Sequence, residues 1–117
     1  ILVGDRTSLA SMGAMADAIP ASTSVTAIVA TPEPDAAVFD TDRELDVHWV
    51  GADGAQQIRE GLVAAIAELP EPPADTQAYV TGELHAMREV RNALGGKGLS
   101  RRRVGTHAHW TPKRRGM

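Results

Sequence analysis

Three places in this sequence hold residues whose types and spacing can do chemistry. The first is Gln77-Ala-Tyr-Val-Thr-Gly-Glu-Leu-His-Ala-Met87. Tyr79 and Val80 belong to a β-prone run, Gly82 breaks it, and Glu83 opens a segment with Leu84, Met87, Val90 and Leu94 at helical spacing. A strand that ends in glycine and turns straight into a helix is how an open α/β sheet presents a ligand site. That site lies at the carboxyl ends of the strands, with free backbone N–H groups at the helix start. The second is the turn Gly4-Asp-Arg-Thr-Ser8. It lacks the Gly-x-Gly-x-x-Gly that brings a pyrophosphate onto a helix N-terminus, and it lacks a Walker lysine. Asp5 there repels phosphate, unless it binds a ribose hydroxyl; a capped turn with no ligand accounts for the same residues. The third is Trp110, placed where the last strand ends. It is either a large core side chain covering the sheet edge or a flat apolar surface for stacking on a ring system.

Two further groups invite a chemical reading. His107 and His109 alternate on the last strand and so share a face. No Asp, Glu or Cys lies nearby to complete a metal site, and none is assigned. The charges are strongly asymmetric: all 15 acidic residues lie at or before Glu89, and the 8 Lys or Arg from Val90 onward meet no acid. Such a basic end is either a solvated tail or a site that attracts an anion.

The elements that must position these residues follow from periodicity and punctuation. Ile1–Asp5 reads as a buried strand ended by glycine. Thr7 or Ser8 caps a helix carrying Leu9, Met12, Met15, Ala16 and Ile19 on one face, which Pro20 stops. Val25–Ala30 is apolar throughout, as a strand covered on both faces should be. Thr31–Leu45, with two prolines and five acids, reads as a loop with one helical turn near Ala36–Phe39. Asp46–Val50 is a third strand, and Ile58, Leu62, Val63, Ile66 and Leu69 line a second helix that ends at Pro70. The helix after Gly82 runs to Leu94 and stops at Gly95-Gly96, and Arg103–Trp110 is a fifth strand that Pro112 ends. Alternating strands and helices imply a three-layer α/β sandwich around a five-stranded parallel sheet, in the order 3-2-1-4-5.

Composition excludes several function classes. At 117 residues this is one domain, and with an apolar fraction of 43% it can bury an ordinary core. Cysteine is absent, so there is no thiol chemistry, disulfide or Cys-ligated metal, which fits a cytoplasmic protein. No apolar run reaches membrane-spanning length and no signal peptide is visible, so no membrane partner is expected. The chain opens on Ile-Leu-Val in the middle of an apolar strand, as part of a longer polypeptide does.

Tyr79-Val-Thr-Gly-Glu-x-x-x-Met87 resembles the element after the fourth strand in pyridine-nucleotide domains of the ferredoxin–NADP reductase type, where an aromatic-x-Cys-Gly-Pro segment approaches the nicotinamide. Thr81 and Glu83 replace the Cys and Pro, which makes the chain similar to one branch, the siderophore-interacting proteins. Gly4-Asp-Arg-Thr-Ser-Leu-Ala-Ser11 resembles that family's Gly-Asp-Glu-Thr-Ala-Leu-Pro-Ala. Its later pattern is matched by Gly82, Glu83, Arg88, Arg91 and Leu94, then Gly98-Leu99, Arg101–Arg103, and His109-Trp110 through Arg115-Gly116. Ala10 stands where the family has Pro, and His109 where it has Tyr.

The resemblance implies the C-terminal domain, residues 1–117, of an FAD-dependent ferric-siderophore reductase, with the flavin-binding β-barrel domain as its partner in the same polypeptide. The full protein then reduces ferric siderophore with electrons from NADH, NADPH or another donor, passed through FAD, and the weaker binding of Fe(II) releases the iron. It implies that Thr7 and Ser8, with the N–H groups behind them, meet the nucleotide phosphates, that Thr81, Gly82 and Glu83 border the nicotinamide, and that Trp110 lies near the flavin. Lys113, Arg114 and Arg115 would attract an anionic ferric siderophore. Thr31-Pro-Glu-Pro offers no Arg for a 2′-phosphate, which leans toward NADH. Two other classes remain open on the residues alone. One is a non-catalytic flavodoxin-like interaction domain. The other is a nucleic-acid binder, which the acidic bulk and the single tail aromatic, Trp110, argue against.

Overall fold

The apolar runs form strands because their β-branched residues pack well on a pleated surface that is covered from both sides. A computed structural model describes residues 1–33, 41 and 44–110, the last three by backbone alone. The strands are β1 (Leu2–Asp5), β2 (Thr26–Thr31), β3 (Asp46–Gly51), β4 (Ala78–Glu83) and β5 (Val104–Trp110). Between them run helices α1 (Leu9–Ala18), α2 (Ala55–Glu68) and α3 (Leu84–Gly96). All strand pairs are parallel and the order is β3-β2-β1-β4-β5, as periodicity predicts. The helical turn expected at Ala36–Phe39 lies outside the described residues.

Alternation along the strands divides the core into two layers. Leu2, Ala27 and Val29 face Met12 and Ala16 of α1. Val3, Ile28, Ala30 and Val80 face the other way, onto Ile58, Leu62 and Ile66 of α2 and Met87, Val90 and Leu94 of α3. Each buried Leu, Ile, Val or Met among them contributes about 1.5–3 kcal/mol by leaving water, and each Ala less. Every residue of β1 is buried, because β1 lies in the middle of the sheet. Among the described residues no helix is long and apolar enough to cross a membrane.

Two boundaries near the end of the chain differ from the sequence reading, each for a local reason. Gly95 and Gly96 complete the last turn of α3, and the left-handed residue is Gly98, at φ +98°. There the Gly98 N–H donates to Gly95 O at 3.0 Å and the Leu99 N–H to Leu94 O at 3.2 Å, a Schellman closure with buried Leu94 and Leu99 together. Arg101–Arg103 form a 3₁₀ turn, so β5 begins at Val104 and not at Arg103. At the far end of β5, Ala108 pairs with Gly82 and Trp110 with Glu83, which makes His109 the extra residue of a β-bulge. The simple alternation that placed His107 and His109 on one face is interrupted there.

Lys97, just beyond α3, donates from Nζ to the carbonyls of Ala67 at 2.9 Å and Leu69 at 2.6 Å, closing the end of α2. At the opposite end of the sheet β1 and β4 finish side by side. There Gly82 adopts φ +126°, and a Cβ on it would lie 2.8 Å from Oδ2 of Asp5.

Two outcomes in urea unfolding follow. Leu94→Ala removes a fully buried side chain and its contact with Leu99, and should cost about 2–5 kcal/mol, whereas exposed Asn92→Ala stays within about 0.5 kcal/mol of the parent. Gly82→Ala combines a strained φ with a clash and should cost about 1–3 kcal/mol; an unchanged midpoint would show that Asp5 yields freely.

Candidate site at the carboxyl ends of the strands

The chain enters α1 through the 3₁₀ turn Arg6–Ser8. Asp5 caps this turn: its Oδ1 accepts from the Thr7 N–H at 2.9 Å and also from the Thr7 hydroxyl. An Asp bonding backbone two residues on is an Asx turn. It takes over the capping that the sequence suggested for Thr7 or Ser8, since Ser8 occupies the N-cap position of α1 without a side-chain capping bond. The Ser8 hydroxyl instead donates across to Thr81 Oγ1 on β4, at 3.4 Å. Both residues are buried, so they form the floor between the two turns, while Thr7 and Arg6 stay exposed at the rim.

The turn from β4 into α3 has the same construction. Glu83 is the N-cap of α3; Oε1 accepts from the His85 N–H at 3.0 Å and Oε2 from the Ala86 N–H at 2.6 Å. A carboxylate in this position is favoured by the partial positive charge of the helix start. Asp5 is 3% exposed and Glu83 1%, so the two carboxylates lie inside the turns and not on them.

The structure thus brings Ser8, Thr81, Gly82 and Glu83 together beside Asp5, with Thr7 above them. The backbone register sets Trp110 opposite Glu83, so β5 ends at the same level. Lys113, Arg114 and Arg115 lie outside the described residues. From the sequence, Asp5 either repels phosphate or binds a ribose hydroxyl; the structure makes it the cap of the first turn. Its signal was the Asp-x-Thr spacing of an Asx turn, but the facing Gly82 is 77 positions away in the chain and is found only in the fold.

A pyrophosphate on either turn needs unclaimed N–H donors. The Thr7 N–H and hydroxyl and the His85 and Ala86 N–H groups are already held by the chain's own carboxylates. The turns as built do not fit that group. Two open concavities lie elsewhere. One, of about 670 Å³, is at the amino ends of β2 and β3; the other, of about 660 Å³, lies between α2 and α3. Neither reaches the strand ends that carry the polar cluster. Among the described residues no three His, Cys, Asp or Glu side chains gather as a metal site.

The fold and sequence both have relatives. The siderophore-interacting protein family model matches residues 1–113. The siderophore-interacting protein SipS from Aeromonas hydrophila superposes with a TM-score of 0.73 at 22% identity, over 94% of this chain and 49% of that one. A siderophore utilization protein from T. fusca gives a TM-score of 0.73 at 25% identity, over 99% of this chain and 44% of that one. The chain therefore spans about half the length of these solved relatives. No curated protein matches it. With the family pattern running through β1, the Gly82–Glu83 turn and β5 on this fold, the chain belongs to the siderophore-interacting protein family.

Proposed function

We propose that this chain is the C-terminal half of a flavin-dependent ferric-siderophore reductase, which reduces the siderophore-bound Fe(III) to Fe(II) for iron acquisition in the cytoplasm. The observation that carries the reading is the family match over residues 1–113, on a sheet whose polar residues gather at the strand ends. FAD, held mainly by a barrel domain elsewhere in the polypeptide, supplies single electrons to the ferric ion. NADH, NADPH or another donor supplies the reducing equivalents. Fe(III) is the harder, more highly charged ion, so its reduction weakens the grip of the oxygen donors of a siderophore and frees the metal.

The roles of this chain's residues follow from where they stand. Ser8 and Thr81 hold the two turns at a fixed separation, and Glu83 fixes the start of α3. Gly82 gives its side-chain space to the Asp5 carboxylate, and with Thr81 and Glu83 it would border the nicotinamide. Trp110, level with Glu83, would lie near the flavin. Lys113, Arg114 and Arg115 follow it and would draw in an anionic ferric complex by long-range attraction.

The test uses the full-length gene product with its flavin reduced by light, in the absence of any nucleotide. A ferric siderophore should reoxidise the flavin, with Fe(II) captured by a ferrous chelator, and Trp110→Ala should slow this by about tenfold or more. A protein that binds no flavin, or whose reduced flavin ignores ferric siderophores, would sink the reading. Alanine at Lys113, Arg114 and Arg115 together should raise KM for an anionic siderophore several-fold at low ionic strength. The difference should shrink as the Debye length falls to about 8 Å at physiological salt. Equal KM values at low salt would return these residues to a solvated tail.

A further inference from the structure

We infer that Asp5 closes the strand-end crevice to the pyrophosphate of a dinucleotide, so that any nicotinamide donor used here is recognised without its phosphates. The inference rests on the reductase reading and narrows its donor.

Open α/β sheets bind a pyrophosphate with the N–H groups of the turn after the first strand, where a glycine-rich segment leaves them unclaimed. In this chain Asp5 occupies that place from within. It is 3% exposed, and its Oδ1 holds both the N–H and the hydroxyl of Thr7. Its other oxygen, Oδ2, lies against Gly82, close enough that a Cβ there would stand 2.8 Å away. The carboxylate is therefore wedged between the two turns and cannot swing aside toward β4. Moving it would also release the Thr7 donors and uncover a buried charge, which is costly without a new partner.

The neighbouring turn offers no alternative, since Glu83 caps α3 through the His85 and Ala86 N–H groups and is 1% exposed. A phosphate at the crevice would meet two carboxylates of like charge and donors already engaged. Arg6 is the one cation in the first turn. It is exposed, and its single charge at most balances Asp5, leaving the turn neutral and its donors still taken. Asp5 acts here as a specificity-determining residue through Thr7 and Gly82.

The experiment compares three probes by direct titration of the full-length protein: NADH, reduced nicotinamide riboside, which lacks phosphate altogether, and ADP-ribose. For the parent protein, NADH and the riboside should bind within about threefold of each other, and ADP-ribose should show no binding below about millimolar. Asp5→Asn keeps an acceptor for Thr7 but leaves the Arg6 charge unbalanced, so the turn becomes positive; it should tighten ADP-ribose and NADH by about tenfold or more while leaving the riboside unchanged. NADH binding about a hundredfold tighter than the riboside in the parent protein would overturn the inference. So would an Asp5→Asn protein with the parent's melting temperature and unaltered ADP-ribose affinity. If Asp5→Asn fails to fold, the parent comparison decides alone. The light-driven reduction described above contains no nucleotide, so its failure removes the reductase reading while these titrations would still report on the crevice.

Discussion

The contact between Asp5 and Gly82 is the one on which the carboxyl end of the sheet depends. β1 and β4 are neighbours only because the chain leaves the sheet centre, winds β2 and β3 on one side, and returns on the other. Where the two strands finish, the backbone of β4 must pass the Asp5 carboxylate with no intervening side chain. Gly82 meets that need with a φ of +126°, which also steers the chain directly into α3. Asp5, held by Thr7, cannot retreat. The separation of the two turns is thus determined by the size of one carboxylate, and Ser8 and Thr81 seal the gap beneath it.

Buried polar groups are tolerated at this end because each is satisfied in place. A buried donor or acceptor left alone costs roughly 1–3 kcal/mol. Asp5 and Glu83 avoid that by serving as caps, each accepting two hydrogen bonds from the first residues of the element it precedes. The same arrangement sets the chemistry available. Helix starts usually attract anions from solution, but here the anions are internal: Thr7, His85 and Ala86 already give their N–H groups to Asp5 and Glu83. The opposite end of the sheet is closed by different means, with Lys97 on the carbonyls of α2 and the Schellman turn at Gly98 tying Leu99 back to Leu94.

The fold was legible in the sequence because its signals are local and redundant. Apolar runs of strand length alternate with helical stripes, each closed by Pro or Gly, and right-handed crossovers leave few sheet orders open. Boundaries were less legible where two signals competed. Gly95-Gly96 looked like a helix stop, yet helical hydrogen bonding extended through both and the left-handed residue fell at Gly98. Arg103 looked like strand, but the last of three arginines was drawn into a 3₁₀ turn. Thr7 and Ser8 looked like caps; Asp5 took the role because its carboxylate reaches two residues ahead.

The sequence by itself determined the α/β class, the strand order and the position of Gly82 at a strand end, since periodicity and turn residues act over a few neighbours. It also carried the family pattern, spread along nearly the whole chain. Only the tertiary structure decided that Asp5 faces Gly82, that Ser8 reaches Thr81, and that the turn donors are already engaged. Those pairs are separated by more than seventy residues, and no local propensity records which strand ends will meet. Their distances are set by parallel register and by the packing of α1 and α3 on opposite faces of one sheet.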